Sequence, residues 1–172
     1  MEVFWALGYE GATLADLQTA MGGITAPSFY AAFGSKEELF LEAVELHIET
    51  EGIPAMRGLT ENPTARASIE AMLYAAAESF CQQGKPRGCL LVLGAINCAR
   101  ANRHVQDHLR DLRLMRQKHI RRRLERGVAE GDMPAGVDLA GLVSFYTTVL
   151  DGLSIQARDG ASRKTLKAAV GC

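Results

Sequence analysis

Residues 8–40 read GYEGATLADLQTAMGGITAPSFYAAFGSKEELF, and the punctuation of this stretch decides the fold. Thr13 precedes Leu14 and has Asp16 three positions on, the spacing at which a hydroxyl and a carboxylate cap a helix start reciprocally. Leu14, Leu17 and Met21 then recur at helical spacing and give one apolar face. Gly22 and Gly23 supply the positive φ that closes a helix. Thr25 is a second N-cap, with Pro27 tolerated in the first turn, where its missing N–H is not needed. The Thr25 hydroxyl is therefore expected on the Ser28 N–H. Phe29 and Phe33 lie four apart and face the core, which leaves Ser28 and Tyr30 off that face. Gly34 breaks this helix, and Ser35, with Glu38 at the third position, opens the next. Two short helices joined by a glycine turn, with a third starting at once, are the outline of a helix-turn-helix. That unit sets its second helix in a DNA major groove.

Outward from this stretch the chain keeps reading as helices. Ser35 to about Thr50 forms a connecting helix. Gly52, Pro54 and Gly58 are expected to mark a loop up to Asn62. Asn62-Pro63 reads as a cap followed by a first-turn proline, opening a helix to about Gln83 with Ile69, Leu73, Ala76 and Phe80 on one face. Gly84 and Pro86 end it. A short, very apolar helix follows over about 89–99. Asn102 starts a long helix to about Glu130 whose seam is Val105, Leu109, Leu112, Ile120, Leu124 and Val128. Asp138 to about Arg158 is another helix, carrying Leu142, Phe145, Tyr146, Val149 and Leu153. Ser162 caps a last short one. No strand alternation is present. The predicted fold class is all-α, a helix-turn-helix domain over 1–46 followed by a helical domain over 47–172.

Composition narrows the function classes. With 48% hydrophobic and 23% charged residues the chain is an ordinary globular protein, and its net charge of −1 gives no overall affinity for polyanions. The start has no basic region followed by an apolar run, and no segment approaches a membrane span, so a cytoplasmic protein is expected. Cys81, Cys89, Cys98 and Cys172 lack zinc or CxxC spacing and read as reduced thiols, with redox sensing the minor alternative. No phosphate-cradling loop, nucleophile elbow or HExxH is present, so neither catalysis nor a cofactor is expected. His104 and His108 lie four apart, but no third ligand is placed beside them, and no metal site is expected. Between Arg100 and Arg126 there are ten Lys or Arg against three Asp or Glu. This is either a nucleic-acid stripe or the wet face of an amphipathic helix, and the lack of interleaved aromatics favours the wet face.

Phe4, the Gly8-Tyr9 pair, Thr13 and the run from Pro27 to Phe40 resemble the TetR/AcrR family of bacterial transcriptional regulators. The resemblance is specific over roughly Val3 to Ala43 and weaker at residues 88–92 and 156–162. It implies an all-α homodimer with a DNA-binding N-terminal domain and a ligand-responsive C-terminal domain. By position, Tyr30 and Lys36 match family residues that hold DNA phosphates. Thr25, Ala26, Pro27 and Ser28 match the base-proximal start of the recognition helix, and Thr13 matches a backbone contact. Cations, hydroxyls and N–H donors are what phosphates require. The expected function is a repressor released from a roughly palindromic double-stranded operator by a small apolar or amphipathic ligand. Its two recognition helices would read half-sites one helical turn or a multiple apart.

The last two long helices are the expected dimer face, through Phe145, Val149, Gly152 and Gln156. Met72, Phe80, Leu91, Met115 and Tyr146 are expected to line a ligand cavity, although each also reads as plain core packing. Two departures from the family pattern stand out. Met1 falls inside the family's first helix, leaving Val3, Phe4 and Leu7 as its apolar face, and the turn reads Met21-Gly22-Gly23-Ile24, one residue longer than usual. Residues 1–50 also hold one Lys or Arg against eight Asp or Glu, which predicts weak DNA binding. The competing function is a helical dimer that binds a small molecule or a protein partner without DNA.

Overall fold

The structure, a computed structural model, describes residues 1–171; Cys172 lies outside them. Every regular element is a helix. The first four are α1 (Glu2–Gly11), α2 (Leu14–Ala20), α3 (Ala26–Phe33) and α4 (Lys36–His47). A π-helical turn (Ile48–Gly52) leads into α5 (Ile53–Met56) and α6 (Gly58–Glu61). The body is completed by α7 (Ala65–Ser79), α8 (Leu90–Leu93), α9 (Arg103–Ala129), α10 (Leu139–Arg158) and α11 (Arg163–Val170). None of these helices is long and apolar enough to cross a membrane.

The caps that define the N-terminal unit are formed. The Thr13 hydroxyl accepts from the Asp16 N–H at 3.1 Å while the Asp16 carboxylate accepts from the Thr13 N–H at 2.9 Å. The Thr25 hydroxyl accepts from the Ser28 N–H and the Ser35 hydroxyl from the Glu38 N–H. Gly22 and Gly23 both have φ near +80°, so the lengthened turn consists of two successive left-handed residues that only glycine adopts cheaply. The Gly23 N–H donates to the Gln18 carbonyl and the Gln18 side-chain amide to the Ile24 carbonyl, which fixes α3 against α2.

Helix α1 packs on both α4 and α8, and its buried face centres on Phe4, Trp5 and Tyr9. Phe4 and Tyr9 each meet the Phe40 ring edge-on at 5.1 Å. Leu7, expected on this face, is 50% exposed, because the contact with two helices turns the face toward Trp5 instead. The helix kinks at Gly8, whose φ of 73° turns the Tyr9 N–H onto the Gly94 carbonyl at 2.7 Å.

Three predicted boundaries differ. The segment 52–61 is largely helical rather than a loop: Gly52 takes ordinary helical angles, and Pro54 sits in the first turn of α5, where its missing N–H costs little. The cap of α7 is Thr64, accepting from the Ala67 N–H, because the Asn62 side chain turns back to donate to the Gly58 carbonyl. The apolar segment 89–99 holds only the single turn α8. Its Gly94 carbonyl faces the Tyr9 N–H instead of continuing the helix.

Gly58 is there for space rather than for flexibility. A Cβ at this position would lie 2.8 Å from the Met72 backbone nitrogen and 2.9 Å from the Ala71 Cβ. Gly58→Ala must therefore lift α6 off α7, and a loss of about 2 kcal/mol is expected in urea unfolding at unchanged m. An unchanged midpoint would contradict this packing.

Candidate nucleic-acid interface and cavity

Helix α3, APSFYAAF, carries no charge and buries Phe29 against the unit's core. Thr25, Pro27, Ser28, Tyr30, Ala31 and Ala32 are exposed and Ala26 is half-buried, so the start of α3 presents short side chains and lets its backbone approach a groove closely. Tyr30 is 51% exposed, its ring edge-on to Phe29. Lys36, in the first turn of α4, holds its ammonium over the Tyr9 ring at 4.6 Å. Thr13 is exposed at the start of α2, although its hydroxyl is committed to Asp16. The seven predicted DNA-contacting residues thus sit at the starts of α2 and α4 and from the cap of α3 to its fifth residue.

Several acids of this unit are spent internally. The Glu10 carboxylate accepts from the Ala99 N–H at 2.7 Å and the Asn102 amide at 2.9 Å, and these bonds hold its pKa below the usual range. Asp16 is likewise lowered, first by the Thr13 hydroxyl. Glu37 pairs with His104 of α9 at 2.9 Å. His104 is thereby engaged across the two domains. Among the described residues no three His, Cys, Asp or Glu side chains gather as a metal site.

Long-range bonds tie the reader to the helical body. The Trp5 indole donates to the Gly88 carbonyl at 3.1 Å. Arg158, at the end of α10, donates to the Trp5, Ala6 and Arg87 carbonyls. The base of α4 is equally fixed. His47 is buried, edge-on to the Trp5 indole at 4.5 Å, with Nε2 3.6 Å from the Cys89 sulfur and Nδ1 without a partner. Burial pushes the imidazole pKa down to about 4 and the Cys89 thiol pKa up, so both are neutral groups.

A cavity of about 570 Å³ opens directly below, between the π turn, α5, α6 and α9. Of the five residues named for a ligand cavity, Leu91 and Met115 lie on its wall. Met72 and Phe80 do not: both are packed in the core behind α7. Tyr146 does not either, since α10 turns it against Phe145. The sequence reading missed Arg57, Arg116, Arg122, Arg123 and Arg126, which all line the cavity. Nor is the basic run simply a wet face. Arg113 donates to the Leu91 carbonyl, Arg116 pairs with Asp151, and Arg123 is 3% exposed. A signal was present: Leu109, Arg116 and Arg123 recur at seven-residue spacing, which places two arginines in line with the apolar seam.

On α10, Phe145, Val149, Gly152 and Gln156 share one open face with Thr148 and Ile155. Phe145 is 59% exposed, and a Cβ on Gly152 would meet nothing within 4 Å.

Residues 1–43 match the profile of the bacterial regulatory proteins of the tetR family, and residues 44–170 that of the tetracyclin repressor-like C-terminal domain. The chain is 29% identical over 167 residues to the HTH-type transcriptional repressor ComR of Escherichia coli K12, covering 96% of this chain and 79% of that protein. It is similar at 42% identity and a TM-score of 0.94 to a cysteine-substituted form of the TetR family regulator CifR, solved with 26-base-pair double-strand operator DNA. That match covers 99% of this chain and 88% of CifR. A TetR regulator from Rhodococcus sp. RHA1 is 34% identical with a TM-score of 0.66, over 99% of this chain and 90% of that one. The helix-turn-helix, the helical body and these matches place the chain in the TetR family of bacterial transcriptional regulators.

Proposed function

We propose that the chain is a homodimeric repressor that reads a roughly palindromic operator with α3 and is released from it by a small molecule held in the cavity below α4. The observation that carries this reading is that reader and cavity share one helical path. Lys36 opens α4, and Ile48, Gly52 and Ile53, on the continuation of that path, line the cavity. The π turn between them is an interruption of a kind that recurs at functional sites. A ligand that prefers one setting of this turn shifts the spacing of the two readers, and one that binds both settings equally shifts nothing. The exposed α10 face, with Phe145 and Ile155 at its ends, supports pairing of two copies there. The alternative, a dimer that does not bind DNA, is disfavoured by the operator complex of the similar CifR protein.

Within this reading Tyr30 and Lys36 hold phosphates. Lys36→Ala and Tyr30→Phe are expected to weaken operator binding by about 1 kcal/mol per contact, equally on specific and non-specific DNA. Lys36→Ala should also flatten the salt slope by about one per protomer. A change confined to specific DNA would remove these residues from a phosphate role.

A further inference from the structure

We infer that the occupant of the cavity is an anionic amphiphile, a carboxylate head on an extended apolar tail, with the Arg123 guanidinium as its anchor. The inference rests on the ligand-responsive reading above and names the chemistry of that same site. Arg123 is almost wholly buried, and its Nε donates to the Ser68 hydroxyl at 2.7 Å. Neither of its terminal nitrogens has a hydrogen-bond partner. The nearest anion, Asp132, stands at 3.6 Å, and the same carboxylate oxygen accepts from the Ala65 N–H at 2.9 Å. A buried cation left short of partners is costly, and proteins avoid it unless the missing partner arrives from elsewhere. A planar fork of two free N–H₂ groups on a cavity wall is the shape that receives a carboxylate in two parallel bonds.

The surroundings point the same way. The guanidinium groups of Arg57 and Arg122 on the same wall make no ion pair or hydrogen bond among the described residues, and Arg116 keeps a buried Nε without a partner. No Asp or Glu lines the cavity. Apart from Thr60 and His119 the remaining wall is apolar, formed chiefly by Ile48, Ile53, Met56, Leu91, Leu112 and Met115. Along α9 the lining passes from Leu112 and Met115, through His119 and an Arg116 already paired with Asp151, to Arg122, Arg123 and Arg126, a run of about 16 Å from residue 112 to residue 123 at the helical rise. An inorganic anion would leave the apolar end unused, a neutral hydrocarbon would leave both terminal nitrogens of Arg123 without a hydrogen bond, and a cation would be repelled.

The test is titration calorimetry of the full chain without DNA, using decanoate, decan-1-ol and decyltrimethylammonium below their micelle concentrations. Decanoate is expected to bind once per chain, at least tenfold more tightly than either of the others. Arg123→Met should weaken decanoate at least tenfold and leave decan-1-ol unchanged, with a thermal midpoint equal to or above that of the parent chain. A purely structural arginine would instead lower the midpoint. Should Arg123→Met fail to fold, the exposed Arg122→Ala decides, with decanoate weakened at least threefold and decan-1-ol unaffected. Decan-1-ol binding as tightly as decanoate, or decanoate affinity unmoved in these variants, would overturn the inference. Decanoate binding as described, with no effect on operator affinity, would uphold the ligand chemistry and defeat the release reading instead.

Discussion

Arg158→Ala is expected to remove about 3 kcal/mol of stability and to weaken operator binding about 100-fold. The guanidinium makes three bonds to carbonyls: Nη1 to Ala6 at 2.7 Å, Nη2 to Trp5 at 2.5 Å and Nε to Arg87 at 2.9 Å. Two of those carbonyls end the first part of α1, where the kink at Gly8 leaves them without helical partners, and a cation at a helix C-terminus is favourable in its own right. Burial lowers the Arg158 pKa, and the arginine nevertheless stays charged at neutral pH. Hydrogen bonds to a charged donor contribute about 1.5–3 kcal/mol each, and three on one fork add less than their sum. The functional consequence follows from position. Arg158 ends the proposed dimer helix and holds α1, which packs on α2 and α4, so its loss uncouples the spacing of the two readers from the dimer. Arg158→Lys should recover only part of the effect, because one ammonium cannot span three carbonyls. A stability change below about 0.5 kcal/mol for Arg158→Ala would show that the clamp does not hold the reader.

This clamp marks the limit of what the sequence could disclose. The caps at Thr13, Thr25, Ser35 and Ser162 were legible because a cap is a bond between residues three apart. The all-α class and the helix-turn-helix followed from those caps and the apolar spacing between them. The bonds of Arg158 to α1 join residues more than 150 apart, and nothing local distinguishes that arginine from any other in a last helical turn. The same reason explains the cavity. Leu91 and Met115 were legible as apolar residues near each other in the body. Met72 and Phe80 have the same character, and only the packing of α7 sends them into the core. The arginines of α9 looked like a solvated face because their neighbours in the chain are charged, whereas burial is set by α5, α6 and α7 across from them. The acidic count of the first fifty residues is incomplete in a related way, since Glu10, Asp16 and Glu37 are engaged with groups the count cannot see.

Acidification from pH 7 to pH 4.5 is expected to cost about 2.5 kcal/mol through His47 alone. Its folded pKa is about 4 against an ordinary value of 6.5, chiefly because burial disfavours the imidazolium. Glu51 opposes that shift and Lys85 adds to it. Between those two values the unfolded chain takes up a proton that the folded chain refuses. Stability is therefore complete above about pH 6.5 and falls as the pH drops toward 4. Glu10, Asp16 and Glu78 also have lowered folded pKa values, but their losses begin only below their ordinary values of 4.5, 3.8 and 4.5. Burial also lowers the N-terminal ammonium from its ordinary value of 8.0, so it is the comparison with a His47 variant that isolates the histidine within the interval from 6.5 to 4.5. Urea unfolding at pH 7, 5.5 and 4.5 reads the slope directly, and His47→Gln, neutral throughout, should flatten it. A slope that persists in the glutamine variant would place the proton elsewhere.

The most direct test of the central claim is the anisotropy of labelled DNA from upstream of the gene, titrated with the full chain at about 0.15 M salt against a scrambled duplex. The account predicts binding by two protomers, about a thousandfold tighter on the native sequence, with a steep salt dependence. Equal affinity for both duplexes would contradict it, whatever the cavity binds.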